Sequence, residues 1–272
     1  MRTGQRRREI LRRLLFTGYV EAKALADSLD VDSSTIRRDL DALARDGQLQ
    51  RTHGGARLLD GAVDVPYALK QQQRTEAKKA IAAAAGEAVV DGDSILIDSG
   101  STTYHLAVAL RGRRDLTVVT NDLRIALLVA DYPAIRLLVT GGELLNSTYT
   151  LVGDRAVAFV SDLRVDWTFL GADAIALDTG ITNTNAAEIP LKRSMIAAGR
   201  TPVVLADSTK LGRHALVRVA QLEEVDQIIT DDELNDEDAA AYGSRLRRVV
   251  SAHLEDQRAA PDNTDARVRE RV

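Results

Sequence analysis

From Thr75 onward, short apolar runs alternate with helical stretches, and the runs are apolar at nearly every position rather than at every second one. The runs are Ser94–Asp98, Leu116–Thr120, Ile135–Thr140, Val165–Leu170, Pro202–Ala206 and Gln227–Thr230. Helices are read at about 76–90, 102–111, 122–131, 153–163, 187–198 and 237–254. A strand without a polar face is buried on both sides. Parallel strands meet that condition, because each needs a crossover and the crossover helix covers a face of the sheet. Residues 75–254 are therefore read as an α/β body with a mostly parallel sheet.

In such a sheet, ligands sit beyond the carboxyl ends of the strands, and the polar residues of this body gather there. The first strand runs into Asp98-Ser99-Gly100-Ser101-Thr102-Thr103, which opens a helix. A glycine, several hydroxyls and the free N–H groups of a helix start form an anion seat. Thr120-Asn121 follows the second strand, Gly141-Gly142 closes the third, Gly171-Ala172-Asp173 follows the fourth, and Asp207-Ser208-Thr209-Lys210 follows the fifth. A small phosphorylated polyol fits this set: its anion on the loop, its hydroxyls on Asp173 and Asn121, and Lys210 neutralising charge. Against this stands the plainer reading of Ser and Thr at helix starts as caps.

The first 59 residues form a different kind of unit. Residues 1–57 hold 12 Lys/Arg against 8 Asp/Glu, a balance of +4, whereas residues 58–272 hold 24 against 32, a balance of −8. A basic head on an acidic body directs the head at a polyanion. Ile10, Leu11, Leu14 and Leu15 give residues 5–16 a helical stripe that ends at Gly18, and a second helix runs from about Glu21 to Leu29. Asp30-Val31-Asp32 makes a turn with Val31 as a plug, and Asp32 or Ser33 caps a third helix. There Ile36, Leu40 and Leu43 form the buried stripe, leaving Ser34, Thr35, Arg37, Arg38 and Arg45 outside. Gln48–Thr52, His53-Gly54-Gly55 and Ala56–Leu58 read as a hairpin decorated by Arg51, His53 and Arg57, with the two glycines supplying positive φ.

This is the order of a winged helix-turn-helix, in which the start of the second motif helix meets base edges in the major groove. Ser33, Ser34, Thr35, Arg37 and Arg38 on the helix, with Arg51, His53 and Arg57 on the wing, are the expected contacts to double-stranded DNA. Successive residues point about 100° apart on a helix, so one of Arg37 and Arg38 is expected to read a base and the other to hold phosphate. Asp39 and Asp41 are odd on a DNA-facing helix. Asp39 is expected to pair with a neighbouring arginine and orient it.

Residues 60–74 read as a linker, and residues 255–272, charged and poor in large apolar groups, as a disordered tail. The chain lacks cysteine, which excludes disulfides, thiolate zinc sites and cysteine nucleophiles and fits a reducing cytoplasm. His53, His105, His214 and His253 are scattered without metal-type spacing, so no metal is expected. No apolar run approaches the roughly 18 residues that span a bilayer, and no signal peptide is read. P-loop, nucleophile-elbow and dinucleotide-loop patterns are missing, so no cofactor is expected.

At these residues the chain resembles the DeoR family of transcriptional regulators, over about residues 5–250. The head carries the resemblance through Arg8, Leu11, Leu15, Ser33–Leu40 and Arg51–Ala56. The body carries it through Asp98–Thr103, Thr120-Asn121, Gly141-Gly142, Gly171-Ala172-Asp173, Lys192-Arg193 and Ala206–Lys210. The resemblance implies a repressor of sugar or polyol catabolism genes controlled by a phosphorylated sugar and acting as a homo-dimer or tetramer. It also implies that Lys192 belongs to the effector site.

The body is further similar in fold to ribose-5-phosphate isomerase, which raises an enzyme with a DNA-binding head as the rival reading. That enzyme family has an acid after Gly-Ala-Asp, where this chain has Ala174, and a catalytic glutamate about where this chain has Leu191; Glu188 is a possible substitute. An isomerase needs that base, so no enzyme activity is expected. A body that only oligomerises is the other alternative. Effector binding is expected to reorder loops 141–153 and 178–190 and so change the spacing of paired heads, which must match half-sites about one helical turn apart.

Overall fold

A computed structural model describes residues 3–17, 19–46, 48–57, 71, 73–145 and 148–251. Most of the expected linker and all of the expected tail lie outside the described residues.

The head contains helices α1 (Thr3–Thr17), α2 (Ala22–Leu29) and α3 (Ser33–Arg45) and strands β1 (Tyr19–Glu21), β2 (Gln50–Thr52) and β3 (Gly55–Arg57). Ile10 and Leu14 of α1 meet Leu25 of α2 and Ile36, Leu40 and Leu43 of α3 in one core, with Val31 packed at its margin. The Asp32 side chain caps α3 by accepting from the Ser34 N–H at 2.7 Å. The wing differs from the expected two-stranded ribbon. β1 pairs with β3, giving the order β1-β3-β2. Of the two wing glycines, Gly54 takes positive φ (+85°), while Gly55 is needed for space: a Cβ there would stand 2.0 Å from the Val20 carbonyl oxygen of β1.

The body is built on a seven-stranded parallel sheet, β15-β14-β12-β9-β4-β5-β6. In chain order these strands are β4 (Ser94–Ile97), β5 (Leu116–Thr120), β6 (Ile135–Val139), β9 (Val165–Gly171), β12 (Gly199–Leu205), β14 (Gln227–Asp231) and β15 (Leu246–Val249). Period 2 divides their apolar residues between two cores. Ile95, Ile97, Val118, Phe169, Val203, Leu205 and Ile229 face α4 (Thr75–Glu87), α5 (Ser101–Ala109) and α6 (Leu123–Ala130). Leu96, Val119, Leu170, Val204 and Ile228 face α7 (Asp154–Ser161) and α8 (Ile189–Ala198).

Smaller elements complete the body. The hairpin β7 (Glu143–Leu145) and β8 (Thr150–Val152) precedes α7, and β10 (Ala174–Ala176), β11 (Gly180–Asn183) and β13 (Val217–Ala220) form an antiparallel sheet over the second core. The expected helix at 237–254 is corrected. A six-residue helix α9 (Asp236–Ala241) ends before Gly243, which takes φ +62°, and the chain then enters β15, parallel to β14.

The strand order reverses between β4 and β9. From β4 the sheet grows through β5 to β6, and from β9 through β12 and β14 to β15. Such a switch point opens a crevice at the carboxyl ends of the two strands. Here that crevice lies beyond Ile97 and Gly171.

Candidate functional site: a DNA-reading face and a switch-point pocket

On the head, Ser34, Arg37 and Arg38 are exposed and Ser33 and Thr35 half-buried on the first turns of α3. Arg37 and Arg38 make no hydrogen bond or ion pair among the described residues. Asp39 is buried and takes both Arg6 and Arg7 of α1, the latter at 2.9 Å. The expected pairing of Asp39 with an arginine holds, but its partners come from the first helix rather than from beside it. Asp41 pairs with Arg51 Nε at 2.8 Å, and Arg51 Nη1 also donates to the Gly55 carbonyl. Arg51 is thus engaged between α3 and the wing. Arg57 Nε donates to Gln50 Oε1 at 2.9 Å, and His53 is exposed at the wing tip.

In the body, the crevice at the switch point is a pocket lined by Ser99–Thr102, Gly171–Asp173, Lys192, Lys210 and further residues of the surrounding loops. Asp98 lies beneath it, 1% exposed. It accepts from the Gly171 N–H at 3.0 Å and from the Lys192 ammonium, so it joins the ends of β4, β9 and α8. Lys192 Nζ also donates to the Gly171 carbonyl at 2.9 Å. Burial works against the Lys192 charge, yet the carboxylates of Asp98, Glu188 and Asp173 hold the ammonium above the usual lysine range. Asp173 accepts from the Thr184 N–H at 3.0 Å, and Asn183 Nδ2 donates to Glu188 Oε2 at 3.0 Å. Lys210 makes no ion pair among the described residues.

Five of the expected residues stand back from the pocket. The Thr103 hydroxyl returns to the Gly100 carbonyl at 3.0 Å, and the buried Thr120 hydroxyl donates to the Ile97 carbonyl at 2.8 Å. Asn121 is 1% exposed and holds the β7–β8 hairpin through its carbonyl, which accepts from the Leu151 N–H at 2.7 Å. Gly141 and Gly142 turn the chain into that hairpin with φ of +67° and +109°. The hairpin itself reaches the site. Thr148 lines the pocket, the Thr150 and Ser99 hydroxyls are bonded, and Arg124 stacks 4.9 Å from the Tyr149 ring while bonding Asp122 and the Thr148 carbonyl. Burial raises the Asp122 carboxyl despite Arg124 beside it.

Sequence reasoning missed several lining residues: Gln73, Arg74, Lys78 and Asn183. Ala174 and Leu191 are buried in the core, and Glu188 is the carboxylate that lines the pocket from that segment. Among the described residues no group of His, Cys, Asp and Glu could hold a metal, and no helix is long and apolar enough to cross a membrane.

A winged helix with two uncommitted arginines on its recognition helix, followed by an α/β body with a polar pocket at its switch point, defines a DNA-binding transcriptional regulator with a sensor domain. Comparison with known proteins gives the family. Residues 6–61 match the DeoR-like helix-turn-helix domain and residues 73–232 the DeoR C terminal sensor domain. The chain belongs to the DeoR family of transcriptional regulators.

It is 33% identical to the HTH-type transcriptional repressor CsqR of Escherichia coli (strain K12) over 79% of this chain and 82% of that one. It is 32% identical to the Glycerol-3-phosphate regulon repressor of the same organism, over 85% and 92% of the two chains. The HTH-type transcriptional regulator GlpR of Haloferax volcanii is 34% identical over 86% and 92%. Among solved structures, ribose 5-phosphate isomerase from Plasmodium falciparum overlaps with a TM-score of 0.37 and 15% identity over 49% of this chain and 52% of that one. At that level the overlap says nothing about this chain's chemistry.

Proposed function

We propose that this regulator represses genes of sugar or polyol catabolism and that a phosphorylated sugar, bound in the switch-point pocket, releases it from double-stranded operator DNA. One observation carries the reading: the loop Ser99–Thr102 at the start of α5 and the Lys210 ammonium line one pocket with the carboxylates of Asp173 and Glu188. Helix N–H groups and an ammonium suit a phosphate, and carboxylates accept from sugar hydroxyls. A relative named for a glycerol-3-phosphate regulon is consistent with a ligand of this class. The pocket serves recognition without turnover: Ala174 and Leu191 put apolar side chains where a base would stand, and Glu188, the carboxylate of that segment, accepts from Asn183 Nδ2 and is read as a ligand-orienting group. The regulator works in the cytoplasm as a homo-dimer or tetramer, so that paired heads reach paired half-sites. On each head Ser33, Ser34, Thr35, Arg37 and Arg38 face the major groove, and His53 and Arg57 meet phosphate from the wing.

The test is a thermal-shift screen of the full-length protein against phosphorylated sugars and their unphosphorylated parents, followed by operator titration with each hit. A ligand at a hundred times its Kd stabilises the native state by about 2.7 kcal/mol. A shift with one phosphorylated sugar, none with its parent, and weakened operator binding is the expected result. No shift with any member would favour a body that only oligomerises. Tightened operator binding would make the ligand a co-repressor.

A further inference from the structure

Arg74 belongs, by sequence, to the segment that joins head to body, yet its side chain is built into the pocket wall. Its Nη1 bonds Glu233 at 2.8 Å, and its Nη2 bonds Asp231 at 2.8 Å and the Ser208 hydroxyl at 3.3 Å. Asp207 lies 3.6 Å from its Nε. Burial disfavours this guanidinium, but Glu233, Asp231 and Asp207 together keep it charged. Asp231 is wholly buried and also accepts from the Ser208 N–H at 2.7 Å and the Ser208 hydroxyl at 2.9 Å, which makes it part of the framework. The Glu233 side chain is 54% exposed and is the outermost of the three partners.

The loop that holds Arg74 is also the loop that faces the ligand. Asp207, Thr209 and Lys210 line the pocket, and Asp207 fixes Thr209 through its N–H at 3.2 Å and its hydroxyl. The backbone at Arg74 is held at φ +52°, ψ +40°, the left-handed region that a β-carbon disfavours. Such a residue keeps its conformation only where its surroundings over-determine it. Here the ion cluster does so, at the residue where the chain from the head enters α4.

We propose that Arg74 is the positioning residue through which occupancy of the pocket reaches the connection to the head. Three carboxylates on one guanidinium leave an excess of negative charge beside Lys210. A phosphate arriving at Lys210 adds to that excess. The least costly relief is for Arg74 to turn toward the phosphate and release the exposed Glu233. With the clamp open, the left-handed turn at Arg74 relaxes and redirects the segment that precedes α4. This mechanism rests on the effector-release reading for its direction, but the clamp is testable without any ligand.

The experiment measures, by fluorescence anisotropy and without ligand, the affinity of the full-length protein for a duplex that the wild type selects from a random pool. Glu233→Gln removes the exposed partner and is expected to weaken binding about two- to five-fold, as befits an exposed ion pair. Arg74→Ala removes the clamp and is expected to weaken it about five-fold or more, within the usual range of coupling between sites. Arg200→Gln breaks the Arg200–Asp166 pair elsewhere in the body and is expected to leave affinity unchanged. The slope of affinity against salt should be that of the wild type in all three, since the phosphate contacts of the head are intact.

A merely structural Arg74 would lower the melting temperature of Arg74→Ala and leave operator affinity alone. Wild-type affinity in both Glu233→Gln and Arg74→Ala overturns the proposal. In a second arm, glycerol 3-phosphate is the probe. If it binds the wild type, Arg74→Ala is expected to lose release. If neither it nor any sugar phosphate binds, the effector reading fails, while the ligand-free arm still decides the clamp.

Discussion

The recognition helix and the switch-point pocket both crowd basic side chains against aspartates, but they leave different charges uncommitted. In the head, Asp39 takes Arg6 and Arg7, and Asp41 takes Arg51, so each acid on α3 neutralises an arginine from another element. Arg37 and Arg38 remain exposed for an external polyanion. In the pocket, Lys192 and Arg74 are ringed by carboxylates, and Lys210 alone of these three makes no ion pair among the described residues. An ion pair that joins elements builds the site, and the cation outside such a pair is the one available to a ligand. The head offers a broad face to an extended polyanion. The pocket offers Lys210 beside a helix start, which suits one small anion.

This contrast breaks most sharply at the buried pair. Asp98→Ala removes the buried carboxylate that pairs with Lys192 at the joint of three elements, and it should cost about 3–5 kcal/mol, read as a fall in the denaturation midpoint. Arg38→Ala should instead spare stability and weaken operator binding by about 1–3 kcal/mol, with effector binding intact. Unchanged operator affinity would remove α3 from the interface. Lys210→Ala should keep DNA binding and lose effector affinity by about 1.5–3 kcal/mol, the worth of a hydrogen bond to a charged group. A normally responsive variant would move the anion elsewhere.

Arg51 and Arg57 sharpen the comparison within the wing. If pairing marks Arg51 as a builder, Arg51→Ala should weaken operator binding without changing the salt slope, while Arg57→Ala should flatten that slope by about 0.9. In a double-mutant cycle, the effects of Arg51→Ala and Asp41→Ala should overlap rather than add.

The smallest effect is in α1. The Arg12 side chain, against an opposing effect of burial and with Arg13 adding to it, lowers the Glu9 carboxyl from 4.5 to about 2. A carboxyl lowered on folding stabilises the native state above its unfolded value and loses that contribution as pH falls. The melting difference between wild type and Glu9→Gln should therefore shrink between pH 4.5 and about 2.

The sequence disclosed most of this architecture because its strands are apolar throughout and its helices repeat with the right period. Boundaries of Leu116–Thr120 are reproduced, and those of Ser94–Ile97 and Ile135–Val139 fall one residue short. Elements defined by a distant partner stayed hidden. Tyr19-Val20-Glu21 is too short to show a period and becomes a strand only because β3 lies beside it. Leu246–Val249 fits a helical stripe as well as an extended one, and β14 decides between them.

The site behaved the same way. Asp98, Ser99–Thr102, Asp173, Lys192 and Lys210 converge because their strands meet at the switch point, but strand order leaves no mark on sequence. Thr120, Asn121, Gly141 and Gly142 also end strands, yet on the side of the sheet away from β9. Arg74 was hidden by its polar neighbours, which read as linker, while its partners lie at Asp207, Asp231 and Glu233.

The bond from Arg74 to Asp231 spans 157 positions of sequence, and that from Lys192 to Asp98 spans 94. Contacts in the head are far more local, as with Arg6 and Asp39, 33 positions apart. Long loops are costly to close before their contacts form, and a chain leaving the ribosome folds its leading domain first. The DNA-reading head is therefore complete while the pocket still lacks a wall. During synthesis the head forms before Arg74 has met its carboxylates, so a chain stopped short of Asp231 would carry a complete head on an open clamp.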